Sequence, residues 1–230
     1  LNGDSPVAAW KSWNQEHPDN VYGLRAEASA LMKEKRWEEA KAKLQRFTEV
    51  YPDYRGTNDA WSMMANIARA TNDSEQEYAA LLNASRLKSG DSEVYERLIL
   101  LATEREDWAE AARQAERWLA LNPLIPAPHR SLAQAAEQQG AFEMAIPSLN
   151  ALTKLDPMDP AETYYRYALA LFECGQLSQA KRQILKCLEQ APRYRNALQL
   201  LLKIVEAPPN EALDPAQETA EKILQSPAPK

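Results

Sequence analysis

Glycine is scarce in this 230-residue chain: there are 6, against 15 prolines. Phosphate-cradling loops need glycine where the backbone must approach an anion closely, so a dinucleotide-binding or P-loop fold is excluded. β-Branched residues are equally thin, with 5 Val and 7 Ile against 38 Ala and 28 Leu. Strands draw on the first group and helices on the second, which argues against a barrel or sandwich. Two cysteines, Cys174 and Cys187, are too few for a disulfide framework or a four-cysteine zinc site. One bridge between them is allowed but not implied, and small buried thiols are the favoured reading. No run of Lys or Arg is present, and 27 basic residues face 33 acidic ones, for a net charge of −6. A nucleic-acid partner is therefore not expected. No apolar stretch nears the roughly 18 residues that span a bilayer; the longest, such as Leu198–Leu202, are pieces of amphipathic helix. The first residues, Leu1-Asn2-Gly3-Asp4-Ser5, show neither a basic start nor an initiator Met, so the expectation is a processed or cut chain. Cytoplasm and periplasm both stay open.

What remains is an all-α chain with an internal period. Pro18, Pro52, Pro123, Pro157 and Pro192 each close a helical pattern, at steps of 34, 71, 34 and 35 residues. The gap of 71 is two periods, with Ser89 in the missing place. Ala40, Ala111, Ala145 and Ala180 each stand twelve residues before their proline, and Glu77 is the departure in the second unit. Four residues on come Leu44, Leu81, Ala115, Leu149 and Ile184; three further come Phe47, Ala84, Trp118, Leu152 and Cys187. Trp37, Trp108, Phe142 and Leu177 precede the Ala column by three. Such spacing marks one face of a helix. In the preceding helix, Ala28, Ala65, Ala133 and Ala168 share a column of small residues that lets two helices approach, with Ile99 the larger exception.

These columns resemble the tetratricopeptide repeat, a helix–turn–helix unit of about 34 residues. Ala161–Tyr194, with Ala168, Gly175, Ala180 and Pro192 in place, matches the pattern best; the unit around Asn58–Gly90 is degenerate and follows a three-residue insertion near Tyr54–Thr57. The resemblance implies a right-handed superhelical α-solenoid. The expected division is one array over 1–230: an orphan second helix at 4–18, full repeats at 21–54, 58–90, 92–125, 126–159 and 161–194, a first helix at 195–206, and a capping helix at 214–225. The orphan helix exposes Trp10 and Trp13, so the N-terminal end is a candidate for self-association. Asp159 and Asp214 are expected N-caps before prolines, and Ser74 with Glu77 and Asp107 with Glu110 follow capping-box spacing. Pro147 falls inside a predicted helix, which it should kink or delay.

Chemistry-bearing motifs are missing. His17 and His129 have no metal-ligand partners at suitable spacing, no nucleophile elbow or Cys–His pairing occurs, and the carboxylates sit on helix surfaces. No cofactor, metal or catalytic residue is implied, and the segment reads as non-catalytic. In the family the first helices line a concave groove that holds a peptide or partner helix. Carried over, that groove presents Tyr22, Arg25, Ser29 and Lys33, then Ser62, Asn66 and Arg69, then Glu93, Glu96 and Leu100, then Arg130, Gln134 and Gln138, then Tyr165, Leu169 and Phe172. The family's clamp for acidic chaperone tails is incomplete, since Ser29 replaces a clamp Asn and Glu93 a clamp Lys. The expected ligand is a protein segment with an acidic end, met by Arg25, Lys33 and Arg69, and an apolar anchor met by Phe172. Two alternatives accompany this scaffold: the late repeats also resemble C-terminal repeat tails of some bacterial zinc peptidases, and the chain could serve self-association.

If the register is right, the column residues carry stability. Leu149→Ala should cost about 2–5 kcal/mol and Ala168→Leu about 1–3 kcal/mol, both read as shifts of the unfolding midpoint. Unchanged midpoints in both variants would show that the columns are misplaced.

Overall fold

The computed structural model describes residues 17–87, 91–155 and 159–208. The orphan helix expected at 4–18 lies almost wholly outside them, as do Trp10, Trp13, Ser89, Pro157 and the capping helix expected at 214–225. Among the described residues there are eleven helices and no strand: α1 Val21–Lys33, α2 Trp37–Val50, α3 Ala60–Ala70, α4 Ser74–Leu87, α5 Ser92–Glu104, α6 Trp108–Leu121, α7 Pro126–Gln138, α8 Phe142–Leu155, α9 Pro160–Glu173, α10 Leu177–Gln190 and α11 Arg195–Glu206. The all-α repeat reading holds.

The chain forms two compact units, divided between Arg105 and Glu106. In the first, α1 to α5 pack each on the next; in the second, α6 to α11 do the same, and α9 also touches α11. Small residues set how closely these helices approach. Ala28, Ala65, Ala133 and Ala168, and likewise Ala40, Ala111, Ala145 and Ala180, are at most 1% exposed. Large side chains fill the spaces between: Leu24, Leu31, Leu44 and Phe47 in the first unit, Leu149, Leu171 and Ile184 in the second. Cys187 takes its column place in the second core, and burial pushes its thiol up to about 11, so it is an inert packing group. Both cysteines are free.

Local signals explain where helices start and stop. Asn20, Asp59, Asp91, Asp107 and Asp159 cap α1, α3, α5, α6 and α9, each accepting a backbone N–H of the first turn. Ser74 is not a cap. It is the first residue of α4, and Asp73 before it accepts the Gln76 N–H at 3.0 Å, leaving Glu77 free for another use. Pro147 does not delay α8, which begins at Phe142 and runs on through the proline. Having no N–H, Pro147 forfeits the bond to the Glu143 carbonyl.

The turns after α1, α3, α5, α7 and α9 each contain one left-handed residue: Lys35, Asn72, Glu106, Gly140 and Gly175, with φ between 56° and 73°. In four of them the residue after it returns an N–H to the helix five positions back (Arg36 to Leu31, Asp73 to Ala68, Ala141 to Ala136, Gln176 to Leu171), the Schellman closure. A Cβ on Gly140 would meet nothing within 4 Å, so only backbone strain opposes one. Gly140→Ala should therefore cost about 1–2 kcal/mol, and Lys35→Gly should be neutral or stabilising, as measured by urea denaturation. A neutral Gly140→Ala would show that this turn does not need its left-handed residue.

Candidate functional site

In the first unit, α3 and α5 are first helices of successive pairs, and they flank a cleft of about 500 Å³ whose floor includes Leu81 of α4. Ser62, Asn66 and Arg69 line it from one side; Asp91, Glu93, Glu96, Arg97 and Leu100 line it from the other. At its base lies a charge cluster. Glu77, at the position where the other pairs carry Ala, is 1% exposed. Its carboxylate accepts Arg69 Nε at 2.7 Å, Arg97 Nε at 2.8 Å and Arg97 Nη2 at 2.7 Å. Burial alone would raise the Glu77 carboxyl, but hydrogen bonds from Arg97 and Arg69 outweigh it and hold it below the usual carboxylate range. The same bonds raise the Arg97 guanidinium.

This arrangement changes the sign of what the cleft offers. Both arginines spend much of their charge on a buried acid, whereas Glu93 and Glu96 stand exposed. Summed over the lining and Glu77, two guanidiniums face four carboxylates. The expected reception of an acidic end by Arg69 does not fit that balance. Arg25 is occupied too: its Nη1 donates to Tyr54 Oη and to the Thr57 carbonyl, each at 3.2 Å, and its guanidinium lies 5.6 Å from the Tyr22 ring centre. The inserted segment Tyr54–Thr57 is thus tied to α1, with Tyr54 packed on Phe47 at 5.2 Å between ring centres. Ser29 is half-buried, and Lys33 is exposed in the last turn of α1.

In the second unit, Arg130 and Gln134 are exposed on α7. Arg166 of α9 pairs with Glu137 of α7 through contacts of 2.8–3.2 Å, which ties neighbouring first helices together. Tyr165, Leu169 and Phe172 do not stand free: all three are half-buried and packed against the second core. Tyr165 meets Tyr194 edge-on at 5.3 Å, and the Tyr194 hydroxyl donates to Glu162. Burial, then the bond and charge of Glu162, push the Tyr194 hydroxyl well above the ordinary tyrosine range. His129 lies outside this row, on the other side of α7, where its Nε2 meets the Pro123 carbonyl at 2.9 Å and its Nδ1 is buried without a partner. Among the described residues no three His, Cys, Asp or Glu side chains gather as a metal site, and no helix is long and apolar enough to cross a membrane.

Sequence reasoning recognised Glu77 as an anomaly but not as the keystone of the cleft. The available signal was Arg97 and Arg69, two cations placed to reach a carboxylate that interrupts an alanine column.

Residues 161–194, which form α9 and α10, match the sequence profile of the tetratricopeptide repeat. That segment is a tetratricopeptide repeat. Solved structures extend the likeness of fold over the other helix pairs. The chain is similar to YrrB, a tetratricopeptide-repeat protein with an unusual peptide-binding site, at a TM-score of 0.56 and 16% identity, over 84% of this chain and 97% of that one. It is similar to a chain of the Naa15/Naa10 complex bound to HypK-THB at a TM-score of 0.52 and 15% identity, over 96% of this chain but only 40% of the other. MamA gives a TM-score of 0.50 at 14% identity, over 76% and 95%. No curated protein sequence matches the chain.

The buried acid makes a prediction about pH. A carboxyl whose folded pKa is depressed contributes stability above its unfolded pKa and loses it as pH falls through the folded one. The stability difference between wild type and Glu77→Gln should therefore be largest at neutral pH and shrink below about pH 4.5. Arg97→Met should cost about 3 kcal/mol and exceed Arg69→Met, since Arg97 supplies two of the three bonds. A difference that stays flat from pH 7 to pH 3 would show that the fold does not depress the Glu77 carboxyl.

Proposed function

We propose that this chain is a non-catalytic protein-interaction scaffold that holds an extended peptide or a partner helix along its first helices. The observation that carries this reading is the α3–α5 cleft. Asn66, Glu93, Glu96 and Leu100 line it without holding any helix pair together; Leu100 is a large apolar side chain left 45% exposed. Side chains that stabilise nothing in their own fold, gathered in one concavity, are what a binding surface requires. The helix-pair fold and the tetratricopeptide repeat at 161–194 support the same reading, because such repeats generally act as scaffolds.

The electrostatics refine the ligand. Exposed carboxylates at Glu93 and Glu96, with the arginines already paired, favour a segment carrying Lys or Arg beside an aliphatic residue that rests on Leu100. The second unit has a candidate surface of its own, with Arg130 and Gln134 exposed and Tyr165, Leu169 and Phe172 half-buried. Ser29 and Lys33 form the outer part of the surface in the first.

Selection from a random peptide library against the whole chain tests this. Enriched peptides should carry a basic residue next to Leu, Ile or Met. Glu96→Lys should weaken them roughly three- to tenfold at low salt, with the loss shrinking as salt rises. Enrichment of acidic peptides, indifferent to Glu96→Lys, would overturn the reading.

A further inference from the structure

The internal repeat supplies its own control for a second surface. In the first unit a furrow runs between the second helices α2 and α4 and over α3; it measures about 180 Å³ and is lined by Lys41, Gln45, Trp61, Met64, Gln76 and Asn83, with Ala79 and Ala80. Trp61, four residues before the small-column Ala65, supplies the indole of that furrow. The equivalent furrow of the second unit runs between α6 and α8 over α7, and it measures about 510 Å³. Four residues before the matching Ala133 stands His129 instead of tryptophan.

Most wall positions change in the same direction. In register, Lys41 becomes Ala112, Gln76 becomes Met144, Ala79 becomes Pro147 and Met64 becomes Leu132; Leu119 adds apolar surface, and Gln45 becomes Glu116, a change towards charge. Met144 is 64% exposed at the edge. At two wall positions a long cation and an amide have thus been exchanged for a methyl group and a thioether, and the chain's own indole has been withdrawn. The fold does not require this opening, because the first unit builds the same geometry without it.

We infer that the α6–α8 furrow is a binding site for an aromatic side chain, tryptophan above all, presented by a partner protein. It is separate from the α3–α5 cleft and does not depend on the reading given for it. An indole is the group the sister furrow contains at this position. Met144 offers the polarisable sulfur that favours ring contacts, and Leu119 and Leu132 the apolar walls; Arg113 at the rim is already paired with Glu110 at 2.5 Å.

N-acetyltryptophanamide, titrated into the whole chain carrying ¹³C-methyl methionine, provides the test. The Met144 methyl resonance, assigned by Met144→Leu, lines the open furrow, and Met64 lines the closed one as an internal control. Met144 should shift saturably while Met64 stays in place, and N-acetylleucinamide should need at least tenfold more ligand. His129→Trp, which restores the sister residue, should abolish the shift. Ala112→Lys makes the same test from the opposite wall should His129→Trp fail to fold. No saturable Met144 shift, an equal response to the leucine amide, or a response that survives both substitutions would overturn the inference.

Discussion

Close approach of helices at two columns of alanine is the constraint from which the other features follow. Ala40, Ala111, Ala145 and Ala180 on second helices, with Ala28, Ala65, Ala133 and Ala168 on first helices, leave no room for a larger group without moving a backbone. Once those faces are buried, the orientation of every helix is set, and the residues on the remaining faces are assigned to solvent or ligand. Each unit draws its stability from packing between neighbouring helices, so damage at one seam is expected to be felt locally before it spreads.

Glu77 is the exception that gives the first unit its character. A carboxylate in a seam built for alanine is costly unless fully compensated, and two guanidiniums with three hydrogen bonds compensate it. The compensation has a consequence outside the seam. Arg69 and Arg97 reach Glu77 from the two helices that flank the cleft, so satisfying the buried charge removes the cations from the surface available to a ligand. A packing irregularity thereby decides the sign of the charge that the cleft presents.

Much of this was legible beforehand, for reasons that are physical. The period of the prolines and the small columns is imposed by helix packing, and packing leaves a strong mark on sequence; hence the helix pairs, their turns and the buried positions could be placed from the residues alone. Which exposed side chains would be free was not legible. Arg25 was expected to meet a ligand, yet it holds Tyr54 and the Thr57 carbonyl, because the inserted loop folds back onto α1. Tyr165, Leu169 and Phe172 were expected to form an open patch, yet they are half-buried against the second core. Long polar side chains choose among partners contributed by distant segments, and no local period records that choice. The open furrow beside His129 escaped for a related reason: it is visible only when two units are compared in three dimensions.

The central claim is that Glu77 is ionised, buried and bonded to both arginines, so that the cleft presents carboxylates rather than guanidiniums. The most direct measurement is NMR of the arginine Nε–H groups of the intact chain at neutral pH. The account predicts two Nε–H signals, assigned to Arg69 and Arg97, that are shifted downfield and slow to exchange with water, and that both collapse to ordinary positions in Glu77→Ala. Two rapidly exchanging signals indistinguishable from those of exposed arginines, unchanged by Glu77→Ala, would contradict it.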